Sequence, residues 1–186
     1  MHLALFDLDH TLLPIDSADT WSHHVVERGG LDPADYGARI RRFADEYRAG
    51  TFDVDAYVAF QMELLAAFPR AKLDDWHHEF MQRHVSPAIR EQARALVEQH
   101  RAAGDELALV TGTNAYVVAP IAQSFGIDHV LAVEPEQGGG RHGRRVQSGV
   151  PVLHPQPGLV PRRPPGGAVT DRDDTSVWGV ISDLDL

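Results

Sequence analysis

The chain has 186 residues, of which 43% are hydrophobic and 24% charged, and this size and composition suit a globular protein with one core or a core plus a small inserted domain. The net charge of −10 argues against nucleic acid or an anionic membrane surface as partner. Without cysteine, the chain has no disulfide, thiolate zinc site or cysteine nucleophile. Neither a signal peptide pattern nor a membrane-spanning apolar run occurs, so we expect a cytoplasmic protein.

The first informative stretch is a short apolar run, Leu3 to Phe6, that predicts a buried β-strand. Asp7, Asp9 and Thr11 follow it at alternate positions. Parallel strands present their carboxyl ends to ligands, so this is where an open α/β sheet would hold its chemistry. Two carboxylates at this spacing can share a hard cation or divide the roles of nucleophile and acid/base. The alternative is a simple turn in which Asp9 or Thr11 caps the next segment.

Four helical patterns are predicted between residues 15 and 85. The first has N-cap candidates at Asp16, Ser17 and Asp19 and stops at Gly29-Gly30, and the second runs from Asp32-Pro33 to Gly50. Two more follow, from Val54 toward Pro69 and from Leu73 to Met81. Four helices exceed what a simple βαβ crossover needs, so we predict an inserted helical domain over residues 15–85.

The next predicted elements form a helix, a strand and a polar loop. Ser86-Pro87 is predicted to open a helix that ends at Gly104, and Glu106 to Val110 is predicted to form a strand. The sequence Thr111-Gly112-Thr113-Asn114 then precedes another helix. Amides and hydroxyls at such a helix start bind anions, although the same residues also make a good N-cap.

The string LFDLDHTLL resembles the first motif of the haloacid dehalogenase (HAD) superfamily, in which an apolar strand precedes D-x-D-x-T. The resemblance implies that Asp7 attacks phosphorus and forms an aspartyl-phosphate. It also implies that Asp9 is the general acid/base, that Asp7 and the Asp9 carbonyl bind Mg²⁺, and that Thr11 supports the loop.

Further segments resemble subfamily IB of that superfamily, the phosphoserine-phosphatase-like branch. LVTGTN resembles its second motif and implies that Thr111 binds phosphate, with Gly112 and Asn114 lining the loop. The 15–85 insert resembles its helical cap, where Asp16 is a candidate reader of a substrate ammonium or imidazolium, or else an N-cap. The resemblance extends from residue 2 to about residue 136. Related members act on small phosphomonoesters, including phosphoserine and histidinol phosphate.

The composition changes at Gln137. Residues 137–167 contain eight Gly, six Pro and five Arg but no Asp or Glu, and such a segment does not readily form a helix. The third-motif lysine of the family is missing, since Lys72, in the insert, is the chain's one lysine. Arg162 or Arg163 is a candidate replacement. We hypothesise that residues 137–180 are an altered reading of a normal family member or belong to a decayed copy, and resequencing the gene tests the first of these.

The fourth motif should place acidic residues after a last strand. The apolar run Val177 to Ile181 precedes Asp183, which we predict to complete the metal site. Asp171, Asp173 and Asp174 form a second candidate group, and a simple acidic terminus is the remaining alternative.

Together these features predict an α/β protein whose Rossmann-like parallel sheet of the HAD fold carries an inserted helical cap. The core would comprise residues 1–14 and 86–186, with an atypical or incomplete part at 137–180. The predicted function is magnesium-dependent hydrolysis of a small phosphate ester through an aspartyl-phosphate. The alternative function is a catalytically impaired module that binds phosphate or a partner, and the oligomeric state is left open.

Overall fold

A computed structural model describes residues 2–138, 141–147 and 178–181. Its centre is a five-stranded sheet of order β4-β3-β2-β1-β5. The strands are β1 (Leu3–Phe6), β2 (Glu106–Asn114), β3 (His129–Gly138), β4 (Arg141–Gln147) and β5 (Trp178–Ile181). Strands β3, β2, β1 and β5 run parallel to one another, and β4 pairs antiparallel with β3. This arrangement confirms the predicted α/β class with a Rossmann-like sheet.

Four α-helices lie between β1 and residue 85, ahead of a fifth that leads into β2. They are α1 (Ser17–Gly29), α2 (Pro33–Ala49), α3 (Val54–Ala66) and α4 (Arg70–Phe80). Asp16 and Asp32 cap α1 and α2 by accepting hydrogen bonds from backbone amides, while Gly30 and Gly50 end these helices in left-handed geometry. The cap and stop residues that the sequence offers therefore set these boundaries. That residues 15–85 form a separate domain stays a prediction.

The return from the insert differs from the sequence prediction. The prediction that Ser86-Pro87 opens a helix was wrong, because α4 continues into a π-helical turn at Met81–Val85 and then a 3₁₀ turn at Ser86–Ala88. Ile89 is extended and breaks the helical path, so α5 (Glu91–Ala102) begins later. The last helix, α6 (Ala115–Ser124), contacts β2 and β3.

One hydrophobic core joins the insert to the sheet. Its largest fully buried side chain is Trp21 of α1, whose ring lies 5.2 Å from the ring of His77, 5.3 Å from that of Phe80 and 5.8 Å from that of Tyr116. His77 and Phe80 belong to α4, whereas Tyr116 belongs to α6. The position of α1 over the sheet is therefore fixed by packing from both sides.

Strand β5 lies parallel to β1, with Ile181 opposite Phe6. The predicted last strand of the core is therefore present beside the first one. Asp183, Arg162 and Arg163 lie outside the described residues, as does most of the 137–180 segment. None of the helices in the described ranges combines the length and hydrophobicity that crossing a bilayer requires.

Candidate active site

The loop after β1 presents two carboxylates at the carboxyl edge of the sheet. Asp7 follows the fully buried Phe6, and its Oδ2 accepts a hydrogen bond of 2.7 Å from the Thr11 hydroxyl. Thr11 is itself buried, and His10 beside it adopts a left-handed φ of 60° that turns the chain. The sequence therefore places a carboxylate and the hydroxyl that orients it on the same tight loop.

Asp9 is held by two other elements. Its Oδ1 accepts a 2.6 Å hydrogen bond from the Ser17 amide at the start of α1, and its Oδ2 accepts a 3.0 Å bond from the Thr113 hydroxyl on β2. Because both oxygens have donors, the carboxylate has one defined orientation. Asp9 therefore connects β1, α1 and β2 at the sheet edge.

The electrostatics of this edge favour proton uptake by Asp9. Burial, reinforced by the Asp16 carboxylate, raises its pKa to about 6, although the donors Ser17 and Thr113 oppose the rise. Asp19 is affected similarly, and burial together with Asp16 and Asp9 raises its pKa to about 7. Burial and the repulsion between these carboxylates thus favour their protonated forms, and perturbed pKa values of this kind are common at functional sites.

The end of β2 supplies donors rather than acids. Its pairing with β3 is interrupted between Val110 and Asn114, which releases the intervening residues from the regular ladder. The Thr113 amide donates to Thr111 Oγ1 at 3.1 Å, and Asn114 Oδ1 caps α6 by accepting from the Val117 amide at 3.1 Å. A Cβ placed on Gly112 would have no atom within 4 Å, so this loop faces open space.

The start of α1 brings Asp16 and Asp19 toward the same edge. Asp16 Oδ1 accepts a 2.8 Å hydrogen bond from the Asp19 amide, which confirms N-capping at Asp16. On α3, burial and the carboxylates of Asp16 and Asp19 raise the pKa of the Tyr57 hydroxyl. A crevice beside Tyr57 is lined by Ala18 and Gln61 on the helical side, and by Gly112, Thr113 and Asn114 on the sheet side.

The donor set suits a hard cation. Asp7 and Asp9 offer only oxygen atoms, the ligands that Mg²⁺ prefers, and the Asp16 carboxylate adds negative charge near Asp9. Within residues 2–135, no group of three or more histidine or acidic side chains converges as a metal-binding cluster. The third predicted ligand, Asp183, lies outside the described residues.

The structure joins the predicted site residues through two separate hydrogen bonds. Asp7 contacts Thr11, whereas Asp9 contacts the loop that contains Thr111, Gly112 and Asn114 through Thr113. The Thr113 hydroxyl and the Ser17 amide donate hydrogen bonds to Asp9, and the sequence analysis assigned neither of them to the site. A signal for Thr113 was available, because Thr111 and Thr113 stand two residues apart, as Asp7 and Asp9 do.

Two further residues, Tyr57 and Gln61, carry no such signal. They belong to α3 and reach the sheet edge through tertiary packing. Their helical spacing is that of ordinary core positions, so the sequence does not distinguish them from packing residues.

Comparisons with known proteins agree with this geometry. Residues 4–155 match the model of the haloacid dehalogenase-like hydrolase family. The chain is 34% identical over 137 residues to a histidinol-phosphatase of Neisseria meningitidis, an alignment that covers 74% of this chain and 62% of that protein. The chain thus spans about three fifths of that relative's length.

Solved structures extend the comparison. A protein of unknown function from Bordetella pertussis superposes with a TM-score of 0.73 at 42% identity, over 78% of this chain and 66% of that one. A phosphoserine phosphohydrolase-like protein from Francisella tularensis gives 0.60 at 17% identity, over 80% and 66%, and shares the fold. The sheet order, the acidic loop after β1 and the family match lead to one conclusion: the chain belongs to the haloacid dehalogenase-like hydrolase family.

Proposed function

We propose that this protein is a magnesium-dependent phosphomonoester hydrolase that acts through an aspartyl-phosphate on a small metabolite resembling phosphoserine or histidinol phosphate. The observation that carries the proposal is a pair of carboxylates, two residues apart, at the carboxyl edge of the sheet. Asp7 accepts a hydrogen bond from Thr11 on its own loop, whereas Asp9 accepts from the Ser17 amide of α1 and the Thr113 hydroxyl of β2, and burial raises its pKa to about 6. Such a pair suits one nucleophile and one proton carrier.

Asp7 is assigned as the nucleophile. Its carboxylate attacks phosphorus in line and the bond from phosphorus to the leaving oxygen breaks, which gives an aspartyl-phosphate. The Thr11 hydroxyl on Oδ2 restricts rotation of the carboxylate, so the attacking group is oriented before substrate arrives.

Asp9 is assigned as the general acid and base. In the first step its proton moves to the leaving alkoxide, and in the second the carboxylate takes a proton from the water that attacks the aspartyl-phosphate. Phosphate is released and the Asp7 carboxylate is regenerated. A pKa near 6 supports both duties, because the protonated and ionised forms are each accessible around neutral pH.

The end of β2 is assigned to phosphate binding. Thr111, Gly112 and Asn114 belong to a loop that enters α6, where amides and hydroxyls are available for phosphoryl oxygens. Asp16, at the start of α1 on the same side as Asp9, is proposed to bind an ammonium or imidazolium of the substrate in addition to capping the helix.

Mg²⁺ would be held by the Asp7 carboxylate, the Asp9 carbonyl and Asp183, and it would supply neutralisation of the phosphoryl charge when bound. The position of β5 beside β1 supports Asp183 as a candidate, since Ile181 pairs with Phe6. Arg162 or Arg163 is the proposed substitute for the missing lysine. The helices of residues 15–85 are proposed to act as a cap that excludes water, and the protein is proposed to be cytoplasmic.

The test is hydrolysis of p-nitrophenyl phosphate with and without Mg²⁺ by the wild-type protein and by Asp7→Asn. We expect magnesium-dependent release of p-nitrophenol by the wild type and none above background by the variant. A panel that includes phosphoserine and histidinol phosphate then ranks the substrates.

The second candidate function is a catalytically impaired module that binds phosphate or a partner, and the absence of the third-motif lysine from the sequence favours it. Equal rates for wild type and Asp7→Asn, with phosphate binding retained in calorimetry, would select this second function.

A further inference from the structure

One side of α4 carries three polar residues that reach the first turn of α6. Arg70, Asp74 and His77 follow one another at intervals of four and three residues, so they lie along the same side of the helix. A polar row of this kind usually faces solvent. Here, however, all three residues, called the α4 stripe below, contact α6.

Tyr116, the second residue of α6, contacts every member of the α4 stripe. Its hydroxyl donates to Asp74 Oδ1 at 3.0 Å. The Arg70 guanidinium donates to the same oxygen at 2.7 Å and lies 4.7 Å from the centre of the tyrosine ring, and the His77 ring meets that ring edge-on at 5.4 Å. Burial and then Asp74 raise the pKa of the Tyr116 hydroxyl, so it remains a donor at neutral pH.

A second contact continues from α4 into the loop proposed to bind phosphate. His77 Nε2 lies 3.0 Å from the buried Val117 carbonyl, and because a carbonyl only accepts, this nitrogen carries the proton and donates it. The Val117 amide in turn donates to Asn114 Oδ1 at 3.1 Å. Val117 therefore joins His77 of the insert to Asn114 of the loop through one hydrogen bond on each side.

The first turn of α6 is short of one hydrogen bond of its own. Pro120 lies inside the helix and has no N–H to donate to the carbonyl of residue 116, four positions earlier. A helix start that lacks an internal hydrogen bond depends more strongly on contacts from outside the helix. The α4 stripe supplies such contacts.

We propose that Tyr116 and His77 are positioning residues, through which the α4 stripe holds the first turn of α6 and with it the loop 111–114. Neither side chain is assigned a contact with the substrate, since both act through the start of α6. The strength of phosphate binding would then depend on the position of α4, and so on the position of the insert. Only this last step rests on the proposed function, which assigns phosphate binding to the loop.

The first test compares Tyr116→Phe with Tyr36→Phe by hydrogen exchange. Each substitution removes a hydroxyl that donates to a carboxylate with an arginine beside it, but the partner of Tyr36 is Glu63, which lies within the insert. We expect Tyr116→Phe to lower protection of the amides of residues 113–119 by roughly three- to tenfold, the equivalent of one hydrogen bond. Tyr36→Phe should leave their protection unchanged.

The variant His77→Phe keeps an aromatic ring but removes the donor to Val117, and it should lower the same protection by a similar factor. Unchanged protection in folded Tyr116→Phe and His77→Phe proteins overturns the inference. An equal loss of protection in Tyr36→Phe overturns it too, because the effect would then not depend on the contact between α4 and α6.

The second test measures binding of inorganic phosphate by calorimetry in the presence of Mg²⁺, which needs no turnover. Tyr116→Phe and Asp74→Ala should each weaken binding by roughly three- to tenfold. The double variant should bind no more weakly than the weaker single variant, because both changes remove the same hydrogen bond. Tyr36→Phe should bind as the wild type does.

The outcomes separate this inference from the proposed function. Wild-type phosphate affinity in a Tyr116→Phe protein whose loop has lost protection overturns the positioning role, and so do additive losses in the double variant. A wild-type protein that binds no phosphate contradicts the phosphate assignment of the loop, and hydrogen exchange then decides by itself whether the α4 stripe holds it.

Discussion

The ends of β1 and β2 lie side by side, yet they have opposite chemistry. The β1 end carries acceptors, because Asp7 and Asp9 receive hydrogen bonds from Thr11, Ser17 and Thr113. The β2 end carries hydroxyls and amides and no charge. The difference fits the proposed division of work, in which one strand end would perform the proton and phosphoryl chemistry and the other would orient the groups that react.

The largest effect is expected at the acidic strand end. Asp7→Asn keeps the size of the side chain but removes the charge and the nucleophile, so turnover of p-nitrophenyl phosphate should fall by roughly 10³-fold or more. Asp45→Asn, at an exposed ion pair on α2, is the matched control and should retain activity. A similar loss in both variants would mean that the activity does not depend on Asp7.

The substitution Thr113→Val tests whether the end of β2 sets the pKa of Asp9. Loss of its hydroxyl removes a donor to ionised Asp9, so the pKa of Asp9 should rise above about 6. In the proposed mechanism the leaving group departs with the proton of Asp9, so the alkaline limb of kcat/KM should move to higher pH by up to about one unit. Thr51→Val, at an exposed loop position, should not shift the profile.

An unshifted alkaline limb in Thr113→Val would contradict the assignment of that limb to Asp9. A limb that moves to lower pH would show that the hydroxyl donates elsewhere in the active state. Either result would contradict the proposal that the end of β2 orients the acid/base at the end of β1.

Much of this arrangement was predictable because it depends on local signals. Asp32 and Gly50 begin and end α2, and an apolar strand followed by Asp7 and Asp9 marks the sheet edge. Such features depend only on interactions between a residue and its close neighbours in sequence. They account for the order of elements and for the acidic half of the site.

The rest depends on contacts between distant parts of the chain. Thr113 and Asp9 are 104 residues apart, and Gln61 meets the β2 end only after α3 has packed on the sheet. The helix predicted at Ser86-Pro87 failed for a related reason, since the π-helical turn before it arises at the junction of the insert with the core. Tertiary packing decided these features.

A smaller effect, on the pH dependence of stability, is expected from α1, the helix whose Ser17 amide donates to Asp9. His24 of this helix is buried, its Nε2 contacts the Trp76 carbonyl, and burial together with His84 lowers its pKa from 6.5 to about 4. The folded protein therefore favours neutral His24. The contribution of neutral His24 to the free energy of unfolding is complete above about pH 6.5, where the unfolded chain is also neutral at this residue, and it is lost as the pH falls toward 4.

Urea unfolding at pH 7.5 and pH 5 measures this effect. Relative to His24→Gln, the wild type should lose about 1–2 kcal/mol more of its unfolding free energy on acidification. His23→Gln, at the neighbouring exposed histidine, is the control and should follow the wild type. Equal pH dependence in all three proteins would exclude His24 as the responsible group.

The central claim is that Asp7 becomes phosphorylated, and acid quenching during turnover of a phosphate ester tests it most directly. Peptide mass spectrometry of the quenched protein should find one phosphoryl group on Asp7, absent from Asp7→Asn and removed by hydroxylamine. Turnover that continues without any phosphoryl group on Asp7, or with the group on another residue, would contradict the account.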